Sequence, residues 1–451
     1  MEDKELKNDE LMQLVEDKKF RVLKDELSEM NEFDVAEFIG QLDPEKMVVV
    51  FRMLPKELAT DVFACLEPDV QERIIRDIND KELHTIIEDL MIDDAVDMLE
   101  ELPANIVKRV LQQATPGTRA QINEFLKYPE NSAGSIMTAE YIGLKKTMTV
   151  EDAFAYIRAY GEDKEIIYTC YVMDSKRNLE GVVTVKDLLM HSYTTLIESI
   201  MDTHVIKAVT TQDQEEVVEL FNKYDLMALP VVDHENRLVG IVTVDDVVDV
   251  MEEEATEDFE KMAAMLPSEK PYLKTSVFEI AKKRIPWLLI LMISSMITGT
   301  ILARYEEAFQ VLPILVTFIP MLMDTGGNAG SQASTTIIRG MAVGEIELSD
   351  VLKAWWKEVR VAVICGFVLS VVNFIRLMIQ YPGRELVSLT VVLSLFITVI
   401  IAKSLGCLLP MGAKKLHLDP AIMASPLITT LVDAISLTIY FGLAVALLSI
   451  N

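Results

Sequence analysis

PMLMDTGGNAGSQASTTIIRG, residues 320–340, is a polar and glycine-rich run that interrupts the most apolar part of the chain. Its glycines Gly326, Gly327 and Gly330 permit close helix packing and expose backbone carbonyls. Polar, irregular backbone at membrane depth is tolerated only against protein or a watery cavity. Small-residue packing explains part of this run, but its length favours a hydrophilic path through a membrane. The run also carries Asp324, Asn328, Ser331, Gln332, Ser334, Thr335 and Thr336.

The polar run lies within residues 285–451, which read as an all-α transmembrane domain of five helices. A membrane-spanning helix needs roughly 20 apolar residues. The chain has five such stretches, at about 285–303, 309–337, 359–380, 386–409 and 420–449. An odd number of spans places the two termini on opposite sides of the membrane. The first residues are charged and lack the apolar core of a signal peptide, so the N-terminus is expected in the cytoplasm.

A basic cluster supports this orientation. Lys282, Lys283 and Arg284 directly precede the first apolar stretch, as the excess of Lys and Arg on the cytoplasmic side predicts. The sequence therefore predicts a multi-pass protein of the cell (inner) membrane, embedded in the lipid bilayer, with its C-terminus on the side opposite the cytoplasm.

Asp433 is the second feature that breaks the apolar pattern. It lies deep in the last stretch, where a carboxylate is costly unless it is paired, hydrated or bound to a metal. Ser425, Thr429 and Asp433 are spaced i, i+4 and i+8, so they share one helical face. The chief basic candidates elsewhere in the spans are Lys403 and Arg376. A cation is the simplest partner for Asp433, while a protonated carboxyl or a proton relay are alternatives.

The ligand atoms in these two segments are carboxylate, carbonyl, amide and hydroxyl oxygens. Oxygen ligands suit Mg²⁺ or Ca²⁺, whereas zinc and copper prefer thiolate and imidazole. The four cysteines are scattered without a CxxC spacing, and the five histidines do not cluster. A wide polar pore with one ring of carboxylates fits Mg²⁺, which keeps much of its water shell.

The charge of the chain is concentrated in its first part. The formal net charge is −29 over 451 residues. Residues 275–451 carry slightly more basic than acidic side chains, so the whole excess lies in residues 1–274. Such a domain excludes nucleic acid as a partner, because Lys and Arg contacts to phosphate lead that binding. The acids either form a solvated surface or bind cations that complete the fold.

Residues 1–130 predict an acidic, all-helical N-domain. Short apolar-periodic runs are separated by helix-start signals such as Asp43-Pro44 and Asn79-Asp80. The pattern favours helical hairpins stacked as a small superhelix.

Residues 131–253 predict an α+β pair of modules made by internal duplication. YVMDSKRNLEGVVTVKDLL at 171–189 resembles PVVDHENRLVGIVTVDDVV at 230–248, and Gly181 corresponds to Gly240, 59 positions later. An apolar strand ending in Asp, a Gly, and Val-Thr-Val before a helix resemble cystathionine-β-synthase-type (CBS) tandem modules. Such modules often regulate attached domains, and many bind adenine nucleotides, although a purely structural pair is an alternative.

Residues 254–284 predict an acidic connecting (plug) helix and a linker that leads into the membrane domain. With this segment in place, the whole chain resembles the MgtE-type magnesium channel/transporter family. The GGNAGSQ and DPAIMASPLITTLVD segments are the most specific part of the resemblance.

The resemblance implies a homodimer with a pore on its two-fold axis and Mg²⁺ as both substrate and regulator. Asp433 of each subunit would flank hydrated Mg²⁺, with Gly326, Gly327 and Asn328 nearby and with Thr429 and Ser425 on the same helical face. It also implies a sensor that closes the pore when cytosolic Mg²⁺ is plentiful. The acids that match this sensor are Asp61, Asp93, Asp97, Asp225, Asp246, Asp249, Glu257, Asp258 and Asp419.

The resemblance makes ATP a candidate cofactor of the CBS pair. Lys186 and Asp187 match the charged pair before the module helix. Thr169 and Leu226 stand where the family has an aromatic clamp, which weakens the stacking contact, although Tyr168 is adjacent.

The leading hypothesis is a Mg²⁺-selective channel/transporter that takes up magnesium and is closed by cytosolic Mg²⁺. One alternative is a proton-coupled secondary transporter of Mg²⁺, Mn²⁺ or Co²⁺, in which Asp433 exchanges protons. Another is a membrane sensor that transports nothing. An enzyme is not expected, because no nucleophile–base set or phosphate loop is found.

Overall fold

The chain divides into two units, Met1–Val250 and Met251–Asn451. The computed structural model describes residues 2–162, 164–268, 272–273, 275–305, 312–423 and 425–448, without the side chains of residues 2–6 and 425. Ser425, one of the predicted pore residues, therefore has its side chain outside the described residues.

The first unit begins with ten helices, and local sequence signals set where they start. Pro44, Pro68 and Pro116 occupy first helical positions, where their missing N–H costs nothing. Asn79 and Glu82 form a reciprocal capping box. The helices are α1 (Glu2–Glu16), α2 (Phe20–Ser28), α3 (Glu32–Gly40), α4 (Pro44–Phe51), α5 (Lys56–Ala64), α6 (Pro68–Asp77), α7 (Asp80–Asp89), α8 (Ile92–Glu101), α9 (Ala104–Gln113) and α10 (Pro116–Phe125).

These helices stack in two rows. From α3 onward, each helix packs against the helix two positions later, so α3, α5, α7 and α9 form one row and α4, α6, α8 and α10 the other. Apolar side chains from both rows form one buried core that also includes residues of the second CBS-like module. The arrangement confirms the predicted α-helical superhelix.

Two similar three-stranded sheets follow the helices. In each sheet the first strand pairs in parallel with the second, and the second pairs antiparallel with the third. The strands are β1 (Ile142–Leu144), β2 (Thr169–Met173), β3 (Leu179–Thr184), β4 (Ala208–Val209), β5 (Ala228–Val232) and β6 (Leu238–Thr243). The associated helices are α11 (Val150–Tyr160), α12 (Val185–Met190), α13 (Gln214–Tyr224) and α14 (Val244–Met262).

The register of the strands confirms the internal duplication. Val172 pairs with Gly181 in the first sheet, and Val231 pairs with Gly240 in the second. Both sheets also have a register shift at the next residue of the second strand. Equivalent pairs at equivalent positions are what two copies of one α+β module produce.

In its described residues, the second unit consists of helices joined by turns and loops. Five long helices are α15 (Val277–Arg304), α16 (Ile319–Ala342), α17 (Val351–Gln380), α18 (Glu385–Lys415) and α19 (Ser425–Leu448). Short 3₁₀ turns at Pro313–Phe318 and Pro420–Met423 precede α16 and α19. Helices α16, α18 and α19 pack mutually, α17 packs on α18, and α15 packs on α19.

Four helical segments in the described residues are long and apolar enough to cross a membrane, judged by length and composition alone. They are Val277–Arg304, Leu348–Gln380, Glu385–Lys415 and Pro420–Leu448. The predicted span at 309–337 corresponds to α16, whose 24 residues would cover about 36 Å. Its polar run makes it less apolar than the others, so the count of five spans stays a prediction.

Candidate pore and cation-binding carboxylates

The polar run of α16 packs directly against the last helix. A Cβ on Gly326 would lie 2.7 Å from Thr398 Cγ2 and 2.8 Å from Val432 Cγ1. A Cβ on Gly327 would lie 2.9 Å from Thr429 Cγ2. These glycines are therefore required for the close approach of α16 to α18 and α19, and they are buried. These close contacts give both glycines a role in helix packing, and their predicted part in the pore stays a prediction.

Asn328 and Thr429 lie at the margin of this interface. Asn328 is exposed and Thr429 is half-buried. The Thr429 hydroxyl donates to the backbone oxygen of Pro426 at 2.9 Å, within its own helix. Both residues can therefore contribute oxygen to an aqueous path, Asn328 through its amide and Thr429 through the acceptor capacity of its hydroxyl.

Asp433 is half-buried in α19 and has no ion-pair partner among the described residues. The two basic candidates are occupied elsewhere. Lys403 is buried and lies 3.8 Å from Oε2 of the half-buried Glu358. Arg376 donates to Met321 Sδ at 3.7 Å. A carboxylate in this setting needs water, a proton or a cation.

Asp324 is a further acid at this site that the sequence reasoning named only as part of the polar run. It is exposed on α16, and its carboxylate interacts electrostatically with Asp433. The proximity depends on how two helices far apart in sequence are aligned, which no local motif reveals.

A second group of carboxylates lies within the first unit, and it joins α8 to the CBS-like modules. Asp93 and Asp246, both predicted sensor residues, interact electrostatically. Asp94, Glu140 and Glu165 belong to the same group. These five carboxylates form the acidic cluster. The sequence reasoning did not single out these three acids.

Burial and mutual repulsion perturb the acidic cluster. Burial, followed by the charges of Asp94 and Asp246, raises the pKa of Asp93 well above its usual range. Burial and Asp246 raise the pKa of Asp94 to about 6. Burial and the charges of Asp245 and Asp246 raise the pKa of Glu165 to about 7. Asp93 Oδ1 is buried and accepts no hydrogen bond.

The acidic cluster is not a preformed metal cage. In the part of the chain that the structure describes, no three His, Cys, Asp or Glu side chains are arranged to hold a bare ion. Mg²⁺ commonly keeps much of its water shell, so it can bind carboxylates without such a cage.

The remaining sensor candidates in the first unit differ in setting. Asp61 interacts electrostatically with Asp94, and burial followed by Glu32 and Glu57 raises its pKa. Asp97 and Asp249 are exposed, and Asp249 interacts with Asp246. Asp225 is exposed and ends α13 in the left-handed backbone conformation, φ 51°. Asp225 thus has a structural role in addition to the predicted one.

A lysine occupies the predicted cation site of the connecting helix. Lys261, in α14, bridges Glu257 in the same helix and Asp419 before α19, with Nζ 2.6 Å from Asp419 Oδ2. Burial opposes the charge, but hydrogen bonds to Asp419 and Glu257 raise the pKa of Lys261. Asp258 lies beside this bridge, and burial followed by the Asp419 charge raises its pKa.

The nucleotide candidates meet at the start of α12. The Val185 amide donates to the backbone oxygen of Tyr168 at 2.9 Å, which places Tyr168 beside Lys186. The Tyr168 side chain is 66% exposed. Asp187 completes a capping box with Thr184, whose amide donates to Asp187 Oδ2 at 3.0 Å. One carboxylate oxygen of Asp187 is therefore engaged in starting the helix.

Comparison with known proteins covers both units. The family model for divalent cation transporters, MgtE, matches residues 319–443, and the model for the MgtE intracellular N domain matches residues 30–131. The CBS domain model matches residues 133–193 and 197–253.

Individual relatives match over nearly their full length. The chain is 36% identical to the magnesium transporter MgtE of Thermus thermophilus over 95% of each chain. It is 33% identical to the magnesium transporter MgtE of Bacillus subtilis, over 96% of this chain and 95% of the relative. The crystal structure of the cytosolic domain of the Mg²⁺ channel MgtE in complex with ATP is 38% identical, with a TM-score of 0.51. That match covers 53% of this chain and 98% of the solved one.

These matches confirm the resemblance seen in the sequence and the expectation that the chain is not an enzyme. With matching models in both units and relatives aligned along 95% of its length, the chain belongs to the MgtE family of divalent cation transporters.

Proposed function

We propose that this protein takes up Mg²⁺ through a membrane path lined by α16 and α19. The observation that carries the proposal is Asp433, a carboxylate in an apolar helix with no ion-pair partner among the described residues. It lies beside the exposed polar face of α16. The names of the relatives, magnesium transporters, identify the cation.

In a single chain, the polar face of α16 is not covered by another part of the described protein. Asp324, Asn328 and Thr335 are exposed on α16, and an exposed polar face is unfavourable against lipid. A second copy that places the same face opposite would enclose an aqueous path with carboxylates on both sides. We therefore propose a homodimer, with the N-terminus in the cytoplasm and the C-terminus on the opposite side.

The acidic cluster supports regulation by the transported ion. Carboxylates that repel one another are held together more favourably when a divalent cation lies between them. A ligand shifts a conformational equilibrium only by its differential affinity for the two states. We infer that Mg²⁺ favours the closed state by binding where the acids of α8 face those of the modules.

We also propose ATP as a ligand of the CBS-like pair. Tyr168, Lys186 and Asp187 are neighbours at the start of α12. A structure of a relative's cytosolic domain was determined in complex with ATP. Tyr168 supplies an aromatic face near the charged pair, in place of the expected clamp positions.

Replacing Asp433 tests the transport proposal. Full-length protein is reconstituted in liposomes that contain a Mg²⁺-sensitive dye, and wild type is compared with Asp433→Ala. We expect the initial flux of the variant to be at least about tenfold lower than that of wild type, because a hydrated divalent ion loses its charged partner. Asp350→Asn, which removes a carboxylate outside the predicted pore, serves as the control.

Three outcomes would contradict the proposal. Undiminished flux through Asp433→Ala at equal protein content would remove Asp433 from the path. Flux that follows an imposed proton gradient, and stops without one, would favour the coupled transporter. A wild-type protein that carries no ion would favour the non-transporting sensor.

A further inference from the structure

Helices α16 and α19 run antiparallel, and two contacts define their alignment. Near the start of α16, Gly326 packs against Val432. Further along α16, the Ser334 hydroxyl donates to the backbone oxygen of Met423 at 2.9 Å. Each residue further along α16 therefore lies beside a residue about one position earlier in the segment that contains α19 and the turn before it.

This alignment places Asp324 level with Asp433. Asp324 precedes Gly326 by two residues, so its counterpart on the neighbouring helix is residue 434. Asp433 is one residue away from that position, an axial difference of about 1.5 Å. The next layer toward the end of α16 pairs Asn328 with Thr429 in the same way.

The two carboxylates also occupy adjoining faces. Asp324 and Asn328 are spaced i and i+4, so they share one face of α16, and both are exposed. Thr429 and Asp433 have the same spacing on α19. Gly327, which lies at the edge of the α16 face, contacts Thr429 and closes the space between the helices.

Among the described residues, no Lys or Arg forms an ion pair with either carboxylate. The two carboxylates interact electrostatically. Like charges at membrane depth repel strongly, because the surroundings screen poorly. One divalent cation compensates two carboxylates, whereas one sodium ion leaves a net negative charge.

We propose that Asp324 is a second acidic residue of the permeation path and that Asp324 and Asp433 together favour divalent over monovalent cations. The proposal rests on the transport function proposed above and extends it to the basis of selectivity. A hydrated Mg²⁺ lies between the two carboxylates of each chain, with Asn328 and Thr429 as the next polar layer.

The experiment measures Mg²⁺ and Na⁺ entry into liposomes with two ion-sensitive dyes. It compares wild type with Asp324→Asn, Asp433→Asn and the double variant. The Asn side chain keeps the shape and removes the charge. Glu345→Gln, which removes an exposed charge from the loop after α16, is the matched control.

We expect Asp324→Asn to lower Mg²⁺ flux about tenfold and to raise the ratio of Na⁺ to Mg²⁺ flux. The double variant is expected to lose less than the product of the two single losses, because both acids act on one ion. Melting of Asp324→Asn in detergent should match wild type, since Asp324 is exposed.

Two results would overturn the inference. Wild-type flux and wild-type ion ratio in Asp324→Asn would exclude the residue from the path. Fully multiplicative losses in the double variant would mean that the acids do not share an ion. Both results presuppose Mg²⁺ flux in the wild type, and a wild type without flux contradicts the transport function itself.

Discussion

At the scale of single residues, the membrane unit depends on positions where a side chain of any size would not fit. Gly327 is one such position, because an added Cβ would lie 2.9 Å from the Thr429 side chain. The β-branched Thr429 has its hydroxyl bonded to its own helix, so it cannot rotate away freely.

Gly327→Ala is therefore expected to destabilise the membrane unit by about 1–3 kcal/mol, the usual cost of overpacking. Thermal melting of the full-length protein in detergent would measure the change. Gly299→Ala is the matched control, since Gly299 also lies in a membrane helix and an added Cβ there would meet nothing within 4 Å. Equal melting temperatures for the two variants would show that the α16–α19 contact is looser than described.

The sequence singled out individual residues where the signal was local, and their roles in the pore stay predictions. Asp433 was found because a carboxylate stands out in an apolar run, and the glycines because small residues cluster. Asp324 was not separated from its polar neighbours, because its role depends on the alignment of α16 with α19. Asp94, Glu140 and Glu165 were missed for the same reason, since they meet Asp93 only after helices and modules pack together.

At the scale of elements, a buried ion pair joins α17 to α18. Glu358 and Lys403 are only 14% and 6% exposed, and their charged atoms are 3.8 Å apart. Glu358 Oε2 is buried and makes no hydrogen bond. The pair is therefore held by charge rather than by a short hydrogen bond, and removing one partner leaves an isolated charge in an apolar setting.

Lys403→Met is expected to destabilise the helix pair by about 3–5 kcal/mol. The double variant Glu358→Gln/Lys403→Met should recover most of that loss, because no uncompensated charge remains. Unfolding of the detergent-solubilised protein would give both values. A double variant as unstable as Lys403→Met would show that the lysine contributes through packing rather than through charge.

At the scale of the whole molecule, charge separates the two halves of the chain. The acidic excess lies in the part that forms the helical superhelix, the CBS-like modules and the connecting helix, and the membrane unit is nearly neutral. The sequence showed this division because charge counts need no alignment. It did not show which acids meet, and the structure identifies the acidic cluster between α8 and the modules.

The acidic cluster predicts that stability and Mg²⁺ binding depend on pH. Asp94 and Glu165 have pKa values raised to about 6 and about 7, whereas unfolded carboxyls titrate near pH 4. The folded state therefore holds more protons than the unfolded state in this window. Stability of the first unit should fall as pH rises from about 4 through about 7.

Once the carboxyls of the acidic cluster have lost their protons, at about pH 7 and above, Mg²⁺ should compensate their negative charge in place of those protons. In the full-length protein, millimolar Mg²⁺ is expected to slow hydrogen exchange of α8 amides strongly at about pH 8 and weakly at about pH 5.5. Asp94→Asn with Glu165→Gln should flatten the difference. Equal Mg²⁺ protection at both pH values would contradict binding at the acidic cluster.

The Lys261 bridge gives the connecting helix a positive charge that cannot diffuse away. A dissociable ion leaves when its concentration drops, but an ammonium group tethered to α14 stays beside Asp419. The contact between α14 and the turn before α19 therefore does not depend on the concentration of a free divalent ion, unlike a contact that bound ions alone would hold together.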